Sequence, residues 1–189
     1  LWGIFYKAKF ISKEIDGAVD IIEFLKKSSP EFIQRYKKPI IFALVKLIRN
    51  MHDAGIYHAD LHLKNILLKK DSNGEFTAYI IDLDKSVVLN KLDINQRIKN
   101  LLRLDRSLEK LRWLSGEALM SMSGRLFDNT TIKEFGNHHV NVTTDADEAG
   151  VSLSQKIALI SKTDRIRFFK AYMLFGTAID RDWKVYIRQ

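Results

Sequence analysis

Apolar residues recur at two spacings along the chain, and the switches between them mark out the elements. Phe5-Tyr6-Lys7-Ala8-Lys9-Phe10-Ile11-Ser12 partly alternates and is rich in strand formers, which predicts a short strand ended by an Asp16-Gly17 turn. Val19, Ile22, Phe24 and Leu25 then fall on a helical stripe between Ala18 and Lys27, with Asp20 early and two lysines late, the charge order that suits a helix dipole. A second helix is predicted from Pro39 onward. Ile40, Ile41, Phe42, Leu44, Val45, Leu47, Ile48 and Met51 make it apolar almost all round, and Gly55 sits where a left-handed stop belongs. Such a helix belongs in the core.

Two β-branched stretches follow, Asn65–Lys69 and Phe76–Asp82, joined by Asp71-Ser72-Asn73-Gly74, whose Asn-Gly is a hairpin signal. Asp93 to Leu114 is helical and basic, and Ser115 to Ser152 reads as loop with one short helix around Glu117–Met122. Helices are expected again at Ser154–Ile160 and Thr163–Phe175, the latter starting near Asp164. There is no internal repeat.

Composition narrows the picture. A chain of 189 residues with 46% hydrophobic content fits one cored domain. The absence of cysteine excludes a disulfide framework and thiolate metal sites. The longest apolar run, Pro39–Val45, is far short of a membrane span. The opening Leu1-Trp2-Gly3-Ile4-Phe5 has no basic segment ahead of an apolar one, so it does not read as a secretory signal; beginning at Leu, it reads as the interior of a longer polypeptide. A formal net charge of +8 favours anionic partners without choosing among nucleotides, phosphorylated sugars, nucleic acid and lipid headgroups.

The chemistry lies in His58-Ala59-Asp60-Leu61-His62-Leu63-Lys64-Asn65, followed after the hairpin by Ile80-Ile81-Asp82-Leu83-Asp84-Lys85. The first string is H-x-D-L-x-x-x-N, a kinase catalytic-loop pattern, and the second places an Asp at the end of a β-branched strand. A lone H-x-D-L means little; following a buried helix with a Gly stop and preceding a hairpin, it outweighs coincidence. His138-His139 has no third ligand at sensible spacing and reads as a pair of loop histidines.

These segments resemble the catalytic lobe of the protein-kinase-like superfamily, and within it the lipopolysaccharide core kinases that phosphorylate Kdo or heptose sugars. Leu83-Asp84-Lys85 after Asp82 is similar to the D-F-D-K of those enzymes, and no Ala-Pro-Glu follows. Asn100-Leu101-Leu102-Arg103-Leu104-Asp105-Arg106-Ser107 resembles their N-L-x-R-L-x-R-S helix, and Asp164-Arg165-Ile166-Arg167-Phe168-Phe169-Lys170-Ala171-Tyr172 their D-R-L-R-F-L-R-A-Y helix. The resemblance implies an α+β fold: residues 1–15 as the last small-lobe strand and hinge, and 16–189 as a mostly helical C-terminal lobe with a β-hairpin at the active face. No G-x-G-x-x-G and no strand lysine are identifiable, so most of the N-terminal lobe is expected upstream of Leu1.

The implied activity is ATP-dependent phosphorylation of a sugar hydroxyl on lipopolysaccharide core, with ATP and Mg2+ as cofactors, at the cytoplasmic face of the inner membrane. Phosphoryl transfer asks a protein mainly to position groups and neutralise charge. Asp60 would take the proton of the attacking hydroxyl, and Asn65 and Asp82 would hold magnesium, since amide and carboxylate oxygens suit a hard cation. Leu67 and Ile81 would form an apolar floor for adenine, with Glu14 and Ile15 meeting its edge as a hinge. His58 reads as structural. His62 stands between a γ-phosphate contact and no such role, Lys85 between phosphate contact and solvated charge, and Asp84 between a second metal ligand and a turn residue. The basic helix, with Arg97, Lys99, Arg103, Arg106, Lys110 and Arg112, would help bring the enzyme to an anionic acceptor or membrane surface. Rival readings are another kinase-fold enzyme, acting on a protein or small molecule, and a pseudokinase module. A nucleic-acid binder ranks last, because the leucines of the basic helix are committed to packing and no stacking platform accompanies it.

Overall fold

A computed structural model describes residues 14–114 and 151–175. The expected strand at 5–12, the loop and short helix in 115–150, and His138-His139 lie outside the described residues.

Strand β1 (Val19–Asp20) leads directly into helix α1 (Ile21–Lys27). The helix starts at Ile21 rather than at Ala18 because the Asp20 carboxylate accepts from the N–H groups of Ile22 and Glu23, at 2.9 and 3.0 Å, which fixes Asp20 as the extended cap residue. Helix α2 (Pro30–Asp53) begins well before the Pro39 start read from the sequence. Its start signal is Ser29-Pro30-Glu31: the Ser29 hydroxyl accepts from Phe32 N–H, Pro30 occupies the first turn where its missing N–H costs nothing, and Glu31 meets the dipole. Pro39 lies inside the helix, at a cost of about 3 kcal/mol in an isolated helix. The turns ahead of it are held by packing: the rings of Phe24, Phe32, Tyr36 and Phe76 cluster edge-on and tilted, and the Lys70 ammonium sits 4.5 Å from the Tyr36 ring centre.

Helix α2 stops at Asp53 and Gly55 follows its cap residue, with φ of +76°. A Cβ there would lie 1.9 Å from the Leu89 carbonyl oxygen, so only glycine lets the two backbones meet, and Leu89 N–H donates to the Gly55 carbonyl at 2.9 Å. That approach sets up a small antiparallel pair, β2 (Ile56–Tyr57) with β5 (Val87–Val88). Between them run a single 3-10 turn, Leu63–Asn65, and the hairpin of β3 (Ile66–Lys70) and β4 (Phe76–Ile80), with Ile66 opposite Ile80 and Lys70 opposite Phe76. The predicted hairpin is present; Asn65 belongs to the turn before it, and β4 stops two residues short of Asp82. β1 adds a third strand on the β3 edge.

Helix α3 (Ile94–Leu114) opens on a reciprocal Asp93–Gln96 capping box. Helices α4 (Leu153–Ala158) and α5 (Lys162–Leu174) open on capping boxes at Ser152–Gln155 and Ser161–Asp164. Asp164 is thus the third residue of α5, not its start. The expected α+β architecture holds, helices packed about one hairpin, with Val45, Ile48, Leu61, Ile66, Ile157 and Tyr172 fully buried in one core.

Candidate active site

Three loop-borne residues are drawn together by backbone bonds at the end of the hairpin. The Asn65 side-chain amide donates to the Asp60 carbonyl at 3.0 Å, and Ile81 N–H donates to the Asn65 carbonyl at 3.0 Å, placing Asp82 one residue from that bond. Asp60 N–H donates to His58 Nδ1 at 3.1 Å, so the His58 proton resides on Nε2, which donates to the Ile81 carbonyl at 3.1 Å. His58, 1% exposed, therefore clamps the catalytic-loop pattern to the peptide ahead of Asp82. Asp82 has φ of +59°, the one non-glycine residue in that region among the described residues, a conformation that costs energy and that the surrounding bonds hold. Its carboxylate is exposed and engages no ion pair among the described residues.

The Asp60 carboxylate is 48% exposed and flanked by two bases: His62 Nε2 lies 3.6 Å from Oδ2 and Arg103 Nη1 lies 4.0 Å from Oδ1. Leu67 and Ile81 sit at positions of the same parity across the hairpin, on the face opposite buried Ile66 and Leu68, and Ile81 is 38% exposed. The Ile15 carbonyl accepts from Ala18 N–H at 3.0 Å, and Glu14 is exposed. Asp84 and Lys85 form an exposed turn in which Ser86 N–H closes on the Leu83 carbonyl.

Helix α3 supplies what the motif alone did not reveal. Asn100, Arg103 and Ser107 fall within about 60° of one another at a helical repeat of about 100° per residue, and all three face the 58–65 segment. The Asn100 amide pairs with both backbone groups of His58, accepting from its N–H at 3.1 Å and donating to its carbonyl at 2.8 Å. The Ser107 hydroxyl accepts from Leu63 N–H at 3.2 Å and donates to the Leu104 carbonyl. With the Asn100 amide so fixed, His52 Nε2 must donate to its oxygen, and His52 Nδ1 must accept from the Tyr172 hydroxyl at 2.7 Å. Burial, the largest influence, lowers the His52 pKa to about 4, so this ring is neutral and the chain of bonds from α5 to His58 has a defined direction. Burial raises the Tyr172 pKa. Asn100, Arg103 and Ser107 stand out in the sequence as polar side chains at i, i+3 and i+7 among leucines, a spacing that marks one helix face without saying what that face meets.

The basic helix is not a uniform charged face. Arg97 is bound to Asp53 and to the carbonyls of His52 and Leu92, and Arg112 pairs with Glu109. Burial alone would lift the Asp53 carboxyl, yet hydrogen bonds from Arg97 and Arg49 hold it below the ordinary range. Lys99 and Arg106 remain exposed on the outer face beside Ile98 and Leu102.

The lipopolysaccharide kinase (Kdo/WaaP) family model matches residues 2–122. The chain belongs to this family. Among its relatives, the 3-deoxy-D-manno-octulosonic acid kinase of Vibrio cholerae is 35% identical over 108 residues, which is 57% of this chain and 41% of that protein. The enzyme of the same name from Haemophilus influenzae is 33% identical over an equal stretch. The chain thus spans about two fifths of the length of these curated relatives. A solved structure of WaaP in complex with acyl carrier protein aligns with 59% of this chain and 54% of its own at 26% identity and a TM-score of 0.43. The family match covers every residue of the cluster around Asp60, Asn65 and Asp82.

Oxygen donors from one carboxylate and one amide fit magnesium, which keeps waters and substrate phosphates and needs no all-protein cage. The Asn65 nitrogen is spent on Asp60, which leaves the amide oxygen for a cation.

Proposed function

We propose that the chain carries the catalytic loop of an ATP-dependent kinase that phosphorylates a sugar hydroxyl, Kdo or heptose, on lipopolysaccharide core. The observation that carries this reading is the backbone-bonded cluster of Asp60, Asn65 and Asp82 with two accessible carboxylates. Asp60 accepts the proton of the acceptor hydroxyl as its oxygen bonds to the γ-phosphorus; the bond from that phosphorus to the bridging oxygen breaks, and ADP leaves with the electron pair. Asn65 and Asp82 would hold Mg2+, which when bound neutralises phosphate charge. Leu67 and Ile81 give adenine an apolar floor, and the backbone at Glu14 and Ile15 meets its edge. His62 is close enough to Asp60 to share the γ-phosphate's surroundings, and Lys85 follows the metal-binding segment closely enough to reach a phosphate.

The acceptor is lipid-linked, so the site must work at a membrane. Among the described residues no helix is long and apolar enough to cross one. Peripheral contact at the cytoplasmic face of the inner membrane is supported by Lys99 and Arg106 on the outer face of α3, beside exposed Ile98, Leu102 and Trp113. The test is transfer of label from γ-labelled ATP by the full-length protein, with magnesium, to a Kdo-bearing acceptor, to a heptose-bearing one and to a protein substrate. Label on a core sugar supports the reading. Label confined to protein, or none, overturns it.

A further inference from the structure

Arg103 is placed unlike the arginines around it. Arg97 spends its donors on Asp53 and two carbonyls, Arg165 grips Asp105 and Glu109, and Arg49 bonds Asp53 and the Tyr172 carbonyl. Arg103 has one partner among the described residues, Asp60, at 4.0 Å and so beyond hydrogen-bond distance, while 41% of its side chain is exposed. Its backbone is nevertheless firmly set, because Asn100 and Ser107, one turn to either side, are tied to His58 and Leu63. A planar fork of N–H donors is held, unspent, beside the carboxylate that must meet the acceptor hydroxyl.

We propose that Arg103 recognises the acceptor, binding a carboxylate carried on the same sugar as the hydroxyl that is phosphorylated. The inference rests on the sugar-kinase reading and deepens it. A hydroxyl within hydrogen-bond reach of Asp60 brings the rest of its sugar within a few ångströms of Arg103. An acid sugar there sets a third negative charge beside Asp60 and the nucleotide phosphates, a repulsion that only a nearby cation offsets. A guanidinium matches a carboxylate through two parallel bonds and keeps its charge at every working pH. Position also favours the acceptor: among the described residues the charged group beside Arg103 is Asp60, the carboxylate that meets the acceptor hydroxyl.

The test measures kcat/KM of the full-length protein for a Kdo-bearing acceptor and for the same acceptor with its carboxylate converted to the carboxamide. Wild type should prefer the acid by about tenfold or more, the scale of one charge-assisted pair. Arg103→Gln should bring that ratio near one with the KM for ATP unmoved, and Arg103→Lys, which keeps the charge without the fork, should give an intermediate ratio. An unchanged ratio in Arg103→Gln, or a raised KM for ATP with an unchanged acceptor preference, overturns the proposal. Wild type active on both acceptors without preference overturns this inference alone. Wild type inert on both overturns the sugar-kinase reading and this inference with it.

Discussion

His58 and Ile81 are joined by a 3.1 Å hydrogen bond from the imidazole Nε2 to the carbonyl oxygen, while the other ring nitrogen accepts the Asp60 amide. A single buried ring thus sets the spacing between the residue that would take the acceptor's proton and the segment that would hold the metal. Because each nitrogen has a different obligation, the neutral tautomer is specified, and neither an amide nor a phenyl ring reproduces both bonds at that reach.

His58→Ala should therefore damage alignment more than binding at either end. Losing two buried hydrogen bonds and leaving a cavity costs about 2–4 kcal/mol of stability. In the fraction that remains folded, kcat should fall by at least about tenfold, given how steeply rate depends on alignment. Turnover corrected for folded fraction, measured beside thermal melting, decides it; unaltered kcat in the folded protein would show that the clamp has no catalytic consequence.

Asp60→Asn keeps shape and removes the carboxylate that would accept the proton. Transfer should drop by about 100-fold or more, the range for a lost general base, while ATP affinity is retained, because the carboxylate would act on the acceptor. Single-turnover transfer measured beside nucleotide titration separates the two. Near-normal transfer would remove Asp60 from the mechanism.

Asp82→Ala should weaken nucleotide binding in the presence of magnesium and leave magnesium-free binding nearly as it was. The exposed carboxylate, free of ion pairs among the described residues, and the left-handed backbone that presents it motivate this expectation. Calorimetric titration with and without magnesium is the check, and equal losses in both would contradict a metal-holding role.

How much of this was legible in the sequence follows physical lines. Local chemistry was readable: the Asn-Gly hairpin, the Gly55 stop and the clustering of Asp60, Asn65 and Asp82 depend on residues near one another in the chain. The start of α2 was misplaced because two prolines compete for the first turn. The Ser29 cap marks Pro30 as the start, while Pro39 lies inside the helix, one turn after Tyr36, whose ring packs on Phe76, a partner far along the chain. Asn100, Ser107, His52 and Tyr172 could not be assigned to the site from periodicity, since their roles are contacts between α2, α3, α5 and the loop. The same holds for charge: counting basic residues in α3 could not separate Arg97, consumed by Asp53, from Lys99 and Arg106 on the outer face.

His52 makes stability pH-dependent. Its folded pKa is about 4 and its ordinary value 6.5, chiefly because burial penalises the charged ring. Below pH 6.5 the unfolded chain takes up a proton that the folded chain refuses, so this contribution is complete above that pH and is lost as pH falls toward 4. Over that window the loss approaches about 3 kcal/mol. Denaturant melts of wild type and His52→Gln at pH 7, 5.5 and 4.5 should show a smaller acid sensitivity in the variant, though the variant is weaker at pH 7 for want of its bonds to Tyr172 and Asn100. Equal pH slopes would mean that the ring is charged when folded.

The outer face of α3 carries the last expectation, which concerns the membrane. Ile98, Leu102 and Trp113 are 39%, 43% and 44% exposed, and Lys99, Arg106 and Lys110 lie on the same side of the helix. An apolar stripe bordered by long basic side chains is the pattern of a helix that lies in a headgroup layer, the rings and aliphatic ends dipping inward while the charges meet lipid phosphates. Arg97 and Arg112 are engaged within the protein and Arg103 faces Asp60, so exposed Lys99 and Arg106, with half-buried Lys110 on the same side, are the ones to change. Each can contribute on the order of 1 kcal/mol near an anionic surface, so replacing Lys99, Arg106 and Lys110 together with Gln should lower vesicle affinity by about tenfold or more. Salt shortens the Debye length to about 8 Å at physiological strength, so wild-type binding to phosphatidylglycerol-containing vesicles should fall as salt is raised, and the variant should respond far less. ATP affinity should not move, since none of the three is among the residues assigned to the nucleotide. Vesicle binding and salt response equal to wild type would make this face a solvated surface, with the apolar stripe left to another partner.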